Sequence, residues 1–81
     1  MMDADGLKDK VIRPKLAEVF GELLAGSIVT RATLAALQGQ NEEERKRLII
    51  DAVCSHERVL AMWGEARTAR QKKEWVEEAE D

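Results

Sequence analysis

Eighty-one residues bound the chain to one domain with a small core. An apolar fraction of 44% beside a charged fraction of 36% fits a soluble helix-rich protein, and five Gly with one Pro are too few for the turns of an all-β fold. A net charge of −3 argues against a general binder of nucleic acid or anionic membrane, and a single Cys excludes an internal disulfide.

Residues 1–12 are polar at their start, with Gly6 among charges, and read as a flexible N-terminal segment. They carry no basic stretch followed by an apolar one, so no signal peptide is expected, and no apolar run is long enough to span a membrane. A cytoplasmic location follows as the expectation. Pro14 suits the first position of a helix, which should run to about Ala25 and stop at Gly26. Leu16, Val19, Phe20, Leu23 and Leu24 recur at helical spacing and form its apolar stripe.

"SIVTRATLAALQG" reads as a short second helix, capped by Thr30 and ended by Gly39, with Leu34 and Leu37 on one side. Ile28 and Val29 then sit in the connection and pack. Asn41 opens the longest element: Asn41 with Glu44 makes a capping box, and Glu42, Glu43 and Glu44 suit the positive end of a helix dipole. A helix from Glu42 to about Val76 would be roughly 50 Å long. The first helix cannot cover that length, which predicts a homodimer. Ile49, Val53, His56, Leu60 and Trp63 form its apolar line, widened by Leu48, Ala52, Val59 and Ala66. Gly64 is the one residue that could bend it. Residues 68–81 form a charged tail, helical or frayed, basic first and then acidic. No internal repeat is apparent.

The chain has two Trp, one Phe and no Tyr. Trp63 falls on the apolar line, as the large packing residue of the core or as an interface anchor. Trp75 points away from that line among charges, and is expected to meet the second subunit or a target protein.

Enzyme chemistry finds little support. His56-Glu57 begins like a zinc-protease motif, but position 60 is Leu and the chain has no second His. Cys54 and His56 are two residues apart, about 200° around a helix, and cannot form a nucleophile–base pair. His56 is expected to be a buried or interface histidine. The acidic clusters read as caps and solvated surface, so no catalytic residue, metal or cofactor is assigned. "TRATLAALQGQNEEERKRLI" matches the outline of a helix-turn-helix, but its second helix opens on three glutamates, where phosphates would lie.

Three stretches, "LAEVFGELLAG", "VTRATLAALQG" and the helix with "RLI" followed by "HERVLAMW", together resemble the small helical host-takeover proteins of Mu-like phages, described as quorum-sensing anti-activators and twitching-motility inhibitors. The resemblance covers about Leu16 to Arg67 and excludes the tail from Thr68. Its motifs are short amphipathic helices. It implies a compact helical homodimer that binds a LuxR-type transcription factor and blocks its DNA binding, and that is linked to the ATPase assembling type IV pili. It also implies an aromatic and arginine-rich contact face, matched here by Arg58, Trp63 and Arg67 with His56 and Met62 beside them.

The sequence thus predicts an all-α homodimer: a helical hairpin with a short connecting helix and one long C-terminal helix, in a single domain over residues 1–81. Leu16, Val19, Phe20, Leu23, Leu24, Leu34, Leu37, Ile49, Val53 and Leu60 should build the core and dimer contact. His56, Arg58, Met62, Trp63, Arg67 and Trp75 should bind a host protein. The alternatives are a helix-turn-helix DNA-binding regulator and a purely structural dimer.

Overall fold

The computed structural model describes residues 3–80, and these are helical with no strand. Expectations for Met1, Met2 and Asp81 fall outside the described residues. Helix α1 occupies residues 4–20 in three contiguous stretches: an α turn at Ala4–Gly6, a π-helix at Leu7–Ile12, and α-helix again at Arg13–Phe20. Asp3 caps it, its carboxylate accepting from Gly6 N at 2.7 Å. The segment read as flexible is therefore helical from Ala4, and it supplies fully buried Leu7 and Ile12 to the core. Pro14 lies inside this rod rather than opening it. A proline ring collides with the carbonyl four residues earlier, and a widened π turn just before it relieves that contact.

Gly21 ends α1 with φ 84° and ψ 166°, a backbone region open essentially to glycine alone. Gly21 N donates to Ala17 O, and Gly21 O already accepts from Ala25 N, so the bend is one residue long. Helix α2, Glu22–Ala36, starts at once. The predicted break at Gly26 and the cap at Thr30 both fall inside α2. There the Thr30 hydroxyl donates to Gly26 O at 2.8 Å, as Thr or Ser does mid-helix. The inward stripe of α2 is Ala25, Ile28, Val29, Ala32 and Ala36, all buried. Leu23, Leu34 and Leu37 consequently face out, at 93%, 61% and 74% exposure, where the sequence placed them in the core or dimer contact.

Gly39 closes the next turn. A Cβ there would stand 3.0 Å from Arg45 N and 3.2 Å from Ala36 O, so no larger residue fits without moving backbone. Helix α3, Glu42–Cys54, follows. Asn41 caps it as expected, its Oδ1 accepting from Glu44 N at 2.9 Å. Glu44 reaches back to Gln40 N at 2.8 Å, one residue further than a standard capping box. Glu42 also accepts from Ala4 N at 2.8 Å, so the first turn of α3 holds the start of α1.

The long helix does not exist. Ser55 and His56 separate α3 from helix α4, Glu57–Glu80, and α4 is itself bent at Gly64, φ 79° and ψ 163°. The described chain measures 30 × 24 × 20 Å, too short for a 50 Å rod. With that rod goes the sequence argument for a dimer, because each short helix is covered within the chain. Beyond the bend, the tail read as helical or frayed is helical and returns to α3 and to the π turn of α1, burying Trp75 and Ala79.

The return is fastened by Lys46, the middle residue of the run Arg45-Lys46-Arg47. Its side chain is 2% exposed, Nζ donates to Ala79 O at 2.6 Å, and it pairs with Glu43 at 3.0 Å. A lysine donating to a carbonyl in the last turn of a helix caps its negative end. Arg47 and Glu80 add a looser surface pair at 3.7 Å.

Gly21 and Gly64 share one conformation and one context, Phe20-Gly21-Glu22 and Trp63-Gly64-Glu65. The same local device thus recurs in a chain with no internal repeat apparent in its sequence. Nothing lies within 4 Å of a Cβ at either position, so the constraint is backbone sign alone. Gly64→Ala should therefore lower unfolding free energy by about 1–3 kcal/mol. D-alanine at position 64 of a synthetic chain should retain it. Urea unfolding of both chains tests this: equal losses would show that helix propensity, not positive φ, sets the requirement.

Candidate interaction surface

The candidate surface is built on the first half of α4. His56 sets its start: the carbonyl accepts from Leu60 N at 3.0 Å and the imidazole Nδ1 accepts from Arg58 N at 3.2 Å. The histidine is thus a half-buried helix cap rather than a member of an apolar line, because the chain has already left α3 before it. From this cap, Arg58 and Met62 stand four residues apart on one helix face, both exposed. Trp63 follows on the inward side at 8% exposure.

Past the bend, Arg67 comes back over the Trp63 ring, its guanidinium carbon 5.4 Å from the ring centroid. Such a contact contributes about 0.5–1 kcal/mol at an exposed site and holds the arginine in place. Thr68 secures the bend, its hydroxyl donating to Gly64 O at 2.7 Å. Trp63 Nε1 is buried and has no hydrogen-bond acceptor among the described residues.

The six residues predicted to bind a partner therefore separate. Arg58, Met62 and Arg67 are open. His56 is a cap, and Trp63 offers the floor beneath Arg67. Trp75 is a correction: it is 2% exposed, with its ring centroid 6.1 Å from that of Trp63 and tilted by 54°. The bend at Gly64 turns the second half of α4, so the face that Trp75 would occupy on a straight helix is not the one it occupies here. Of the predicted core residues, Leu16, Ile49 and Val53 are buried, while Val19, Phe20, Leu24 and Leu60 are half-buried.

The remaining reactive groups are quiet. Burial pushes the Cys54 thiol up to about 11; the charge of Lys72 opposes this and that of Asp51 reinforces it. Little thiolate exists near neutrality, so Cys54 is a packing residue. Asp51 and Lys72 pair at 2.7 Å between α3 and α4, and the Asp51 hydrogen bond and charge raise the Lys72 pKa. Both side chains are about half exposed, so the pair stabilises little. Among the described residues no three His, Cys, Asp or Glu side chains converge as metal ligands, and no helix is long and apolar enough to cross a membrane. Helices α2 and α3 do follow each other across a short turn, but α3 opens on Glu42, Glu43 and Glu44, and Glu42 is tied to α1.

No protein-family model, curated protein or solved structure matches the chain.

Trp75→Ala should cost about 3–5 kcal/mol, a large share of the stability of so small a domain, and should broaden or abolish cooperative unfolding. A variant as stable as the parent would return Trp75 to the surface. Stability should also fall as pH rises from about 9 toward about 11. The thiol ionises in the unfolded chain before it does so in the folded one, so the folded state loses ground through that window. Lys72, whose folded pKa is also raised, acts in the same direction. Urea midpoints across this range should drop less in Cys54→Ala, and an equal drop would assign the loss to other groups.

Proposed function

We propose that the chain is a non-enzymatic protein-binding inhibitor whose contact face is the outer side of α4 around Arg58, Met62 and Arg67. One observation carries the reading. Met62 is 56% exposed, the large apolar side chain that α4 leaves in water, with an arginine one turn before it and another held on the Trp63 ring after the bend. Arginine is frequent among binding hot spots, and methionine adapts to different partner shapes. An arginine already held on an aromatic ring loses less freedom on binding.

With the resemblance to phage host-takeover proteins, the target is a LuxR-type quorum-sensing transcription factor whose DNA binding is blocked, or the type IV pilus assembly ATPase. The place of action would be the host cytoplasm. The acidic opening of α3 and the net charge of −3 weigh against the DNA-binding alternative.

The test is a mobility-shift titration of a purified LuxR-type regulator on its DNA, with ATP hydrolysis by the pilus ATPase measured in parallel. The parent chain should release the DNA or slow the hydrolysis. Arg58→Glu and Met62→Asp, at exposed positions, should each weaken that effect about tenfold or more while helicity stays unchanged. No effect on either target in excess would remove the inhibitor reading. An effect that both variants preserve would remove this face from it.

A further inference from the structure

Helix α2 carries a second surface, separate from the face on α4. Although 36% of the chain is charged, Arg31 is the only charged residue between Leu23 and Asn41. The inward stripe of α2 is fully used by the core, yet its outward side holds Leu23, Leu34 and, just past the helix end, Leu37, all open to water. Ser27 and Thr30 stand between Leu23 and Leu34 on the same face, both small and exposed. The Thr30 hydroxyl already donates to Gly26 O, so covering it strands no donor. Apolar side chains concentrated in this way mark a contact surface.

The two edges of the row point to what covers it. On a helical wheel Gly26 lies about 60° to one side of Leu23, and Arg31 about 80° to the other. At the first edge Arg13 of α1 reaches across: a Cβ on Gly26 would stand 3.6 Å from a guanidinium nitrogen of Arg13. Together with Lys8, Arg13 walls an open groove of about 360 Å³ that runs along Gly26, Thr30, Thr33 and Leu34. At the second edge Arg31 borders another open groove, of about 640 Å³, shared with Ala52 of α3 and the turn at Ser55 and His56. The leucine row therefore runs between two arginines, one from each neighbouring side.

Neither arginine has its charge answered within the fold. Lys8 pairs with Asp5 at 3.3 Å, and Arg45 with Glu42 at 3.1 Å. Among the described residues, Arg13 and Arg31 form no ion pair, although Asp9 and Glu57 line the same grooves. Acidic residues outnumber basic ones by 16 to 13, so these two cations are not left over for want of carboxylates. Carboxylates from outside the chain would complete them. An anionic lipid surface calls for a basic excess, which a net charge of −3 opposes. A second α2 would bring arginines to the arginines.

We infer that the outward face of α2 docks an amphipathic helix of another protein, whose apolar stripe covers Leu23, Leu34 and Leu37 and whose flanking carboxylates pair with Arg13 on one side and Arg31 on the other. From Leu23 to Leu37 the row is about 21 Å long, or about four turns of the incoming helix. The small Ser27 and Thr30 let its backbone come close, and an apolar face of this length suits anchors at every third or fourth residue. Arginine holds a carboxylate through two parallel N–H donors, so a charge on each flank fixes where the partner lies across the row. Those charges set selectivity more than total affinity.

Fluorescence anisotropy with two labelled synthetic peptides of about four helical turns tests the inference. Both carry leucines along one helical face; one has glutamates on the two flanks, the other lysines. At physiological salt the full chain should bind the glutamate peptide about tenfold or more tightly than the lysine peptide. Leu34→Gln, at an exposed position, should weaken the glutamate peptide about tenfold with unchanged circular dichroism. The double variant Arg13→Gln, Arg31→Gln, also at exposed positions, should lose the preference between the two peptides. Absence of binding, equal binding of both peptides by the parent, or a preference that the double variant retains overturns the proposal. So does a glutamate peptide lost from Met62→Asp but kept by Leu34→Gln, which would seat it on α4. Dimer mass in light scattering that Leu34→Gln abolishes, or binding of phosphatidylglycerol vesicles in place of the peptide, would give the face another occupant and overturn it as well. Neither target of the α4 face enters the measurement, so its failure leaves that reading untouched.

Discussion

The bend at Gly64 is the constraint on which the rest of the fold depends. Trp63 and Trp75 are twelve residues apart, which on a straight helix separates them by about 18 Å along the axis. In the folded chain their ring centroids are 6.1 Å apart. The difference comes from a single residue in a conformation that side-chain-bearing residues avoid. The bend allows one tryptophan to cover the other, and these two rings are the largest apolar groups of a chain that owns only one other aromatic residue. Once Trp75 is inside, the helix behind it must lie along α3. That places Ala79 O at Lys46 and Glu80 near Arg47.

Lys46 shows how the acidic tail is held without relying on surface ion pairs. A buried ammonium is tolerable only when its donors are used, and here the helix end supplies a carbonyl while Glu43 supplies countercharge. A pair such as Arg47–Glu80, open to water, contributes far less. Among the described residues, the closure of the fold thus draws on two apolar rings and on the buried Lys46–Ala79 hydrogen bond. The numerous charges around them mainly solvate the surface.

Much of the local structure was legible because its cause is local. Asn41 with Glu44, the stop at Gly39 and the buried positions Leu16, Ile49 and Val53 follow from capping chemistry, turn sterics and helical spacing. What failed was placement of the bends. Gly21, Gly26 and Gly64 all fall within helical patterns, and helix propensity alone does not separate a glycine that continues a helix at a cost of about 1 kcal/mol from one that reverses its direction. The aromatic-Gly-Glu triplet common to the two bends was the available signal. Choosing Gly26 over Gly21 shifted the expected inward face of α2 and put Leu23, Leu34 and Leu37 inside, although the smaller Ala25, Ala32 and Ala36 fill that space. Reading through Gly64 put Trp75 outside. Lys46 stayed hidden between Arg45 and Arg47, since a run of three cations reads as solvated and only the returning α4 distinguishes the middle one. On the candidate surface, Arg58, Met62 and Arg67 were singled out through the resemblance, and the structure leaves all three exposed.

A fold that closes within one chain changes the meaning of the apolar groups left outside. Under the long-helix reading, exposed leucines would have been core residues awaiting a partner, and the monomer would have been unable to fold without one. In the structure the core is complete without Leu23, Leu34, Leu37 or Met62. Their exposure has a standing cost in solubility that the fold itself does not require. They divide between two helices: Leu23, Leu34 and Leu37 lie on or just after α2, and Met62 lies on α4 with Arg58 one turn before it and Arg67 on the Trp63 ring after the bend. Neither group is spent on closing the fold, so a polar residue at any of these positions would leave the core and its bends as they are.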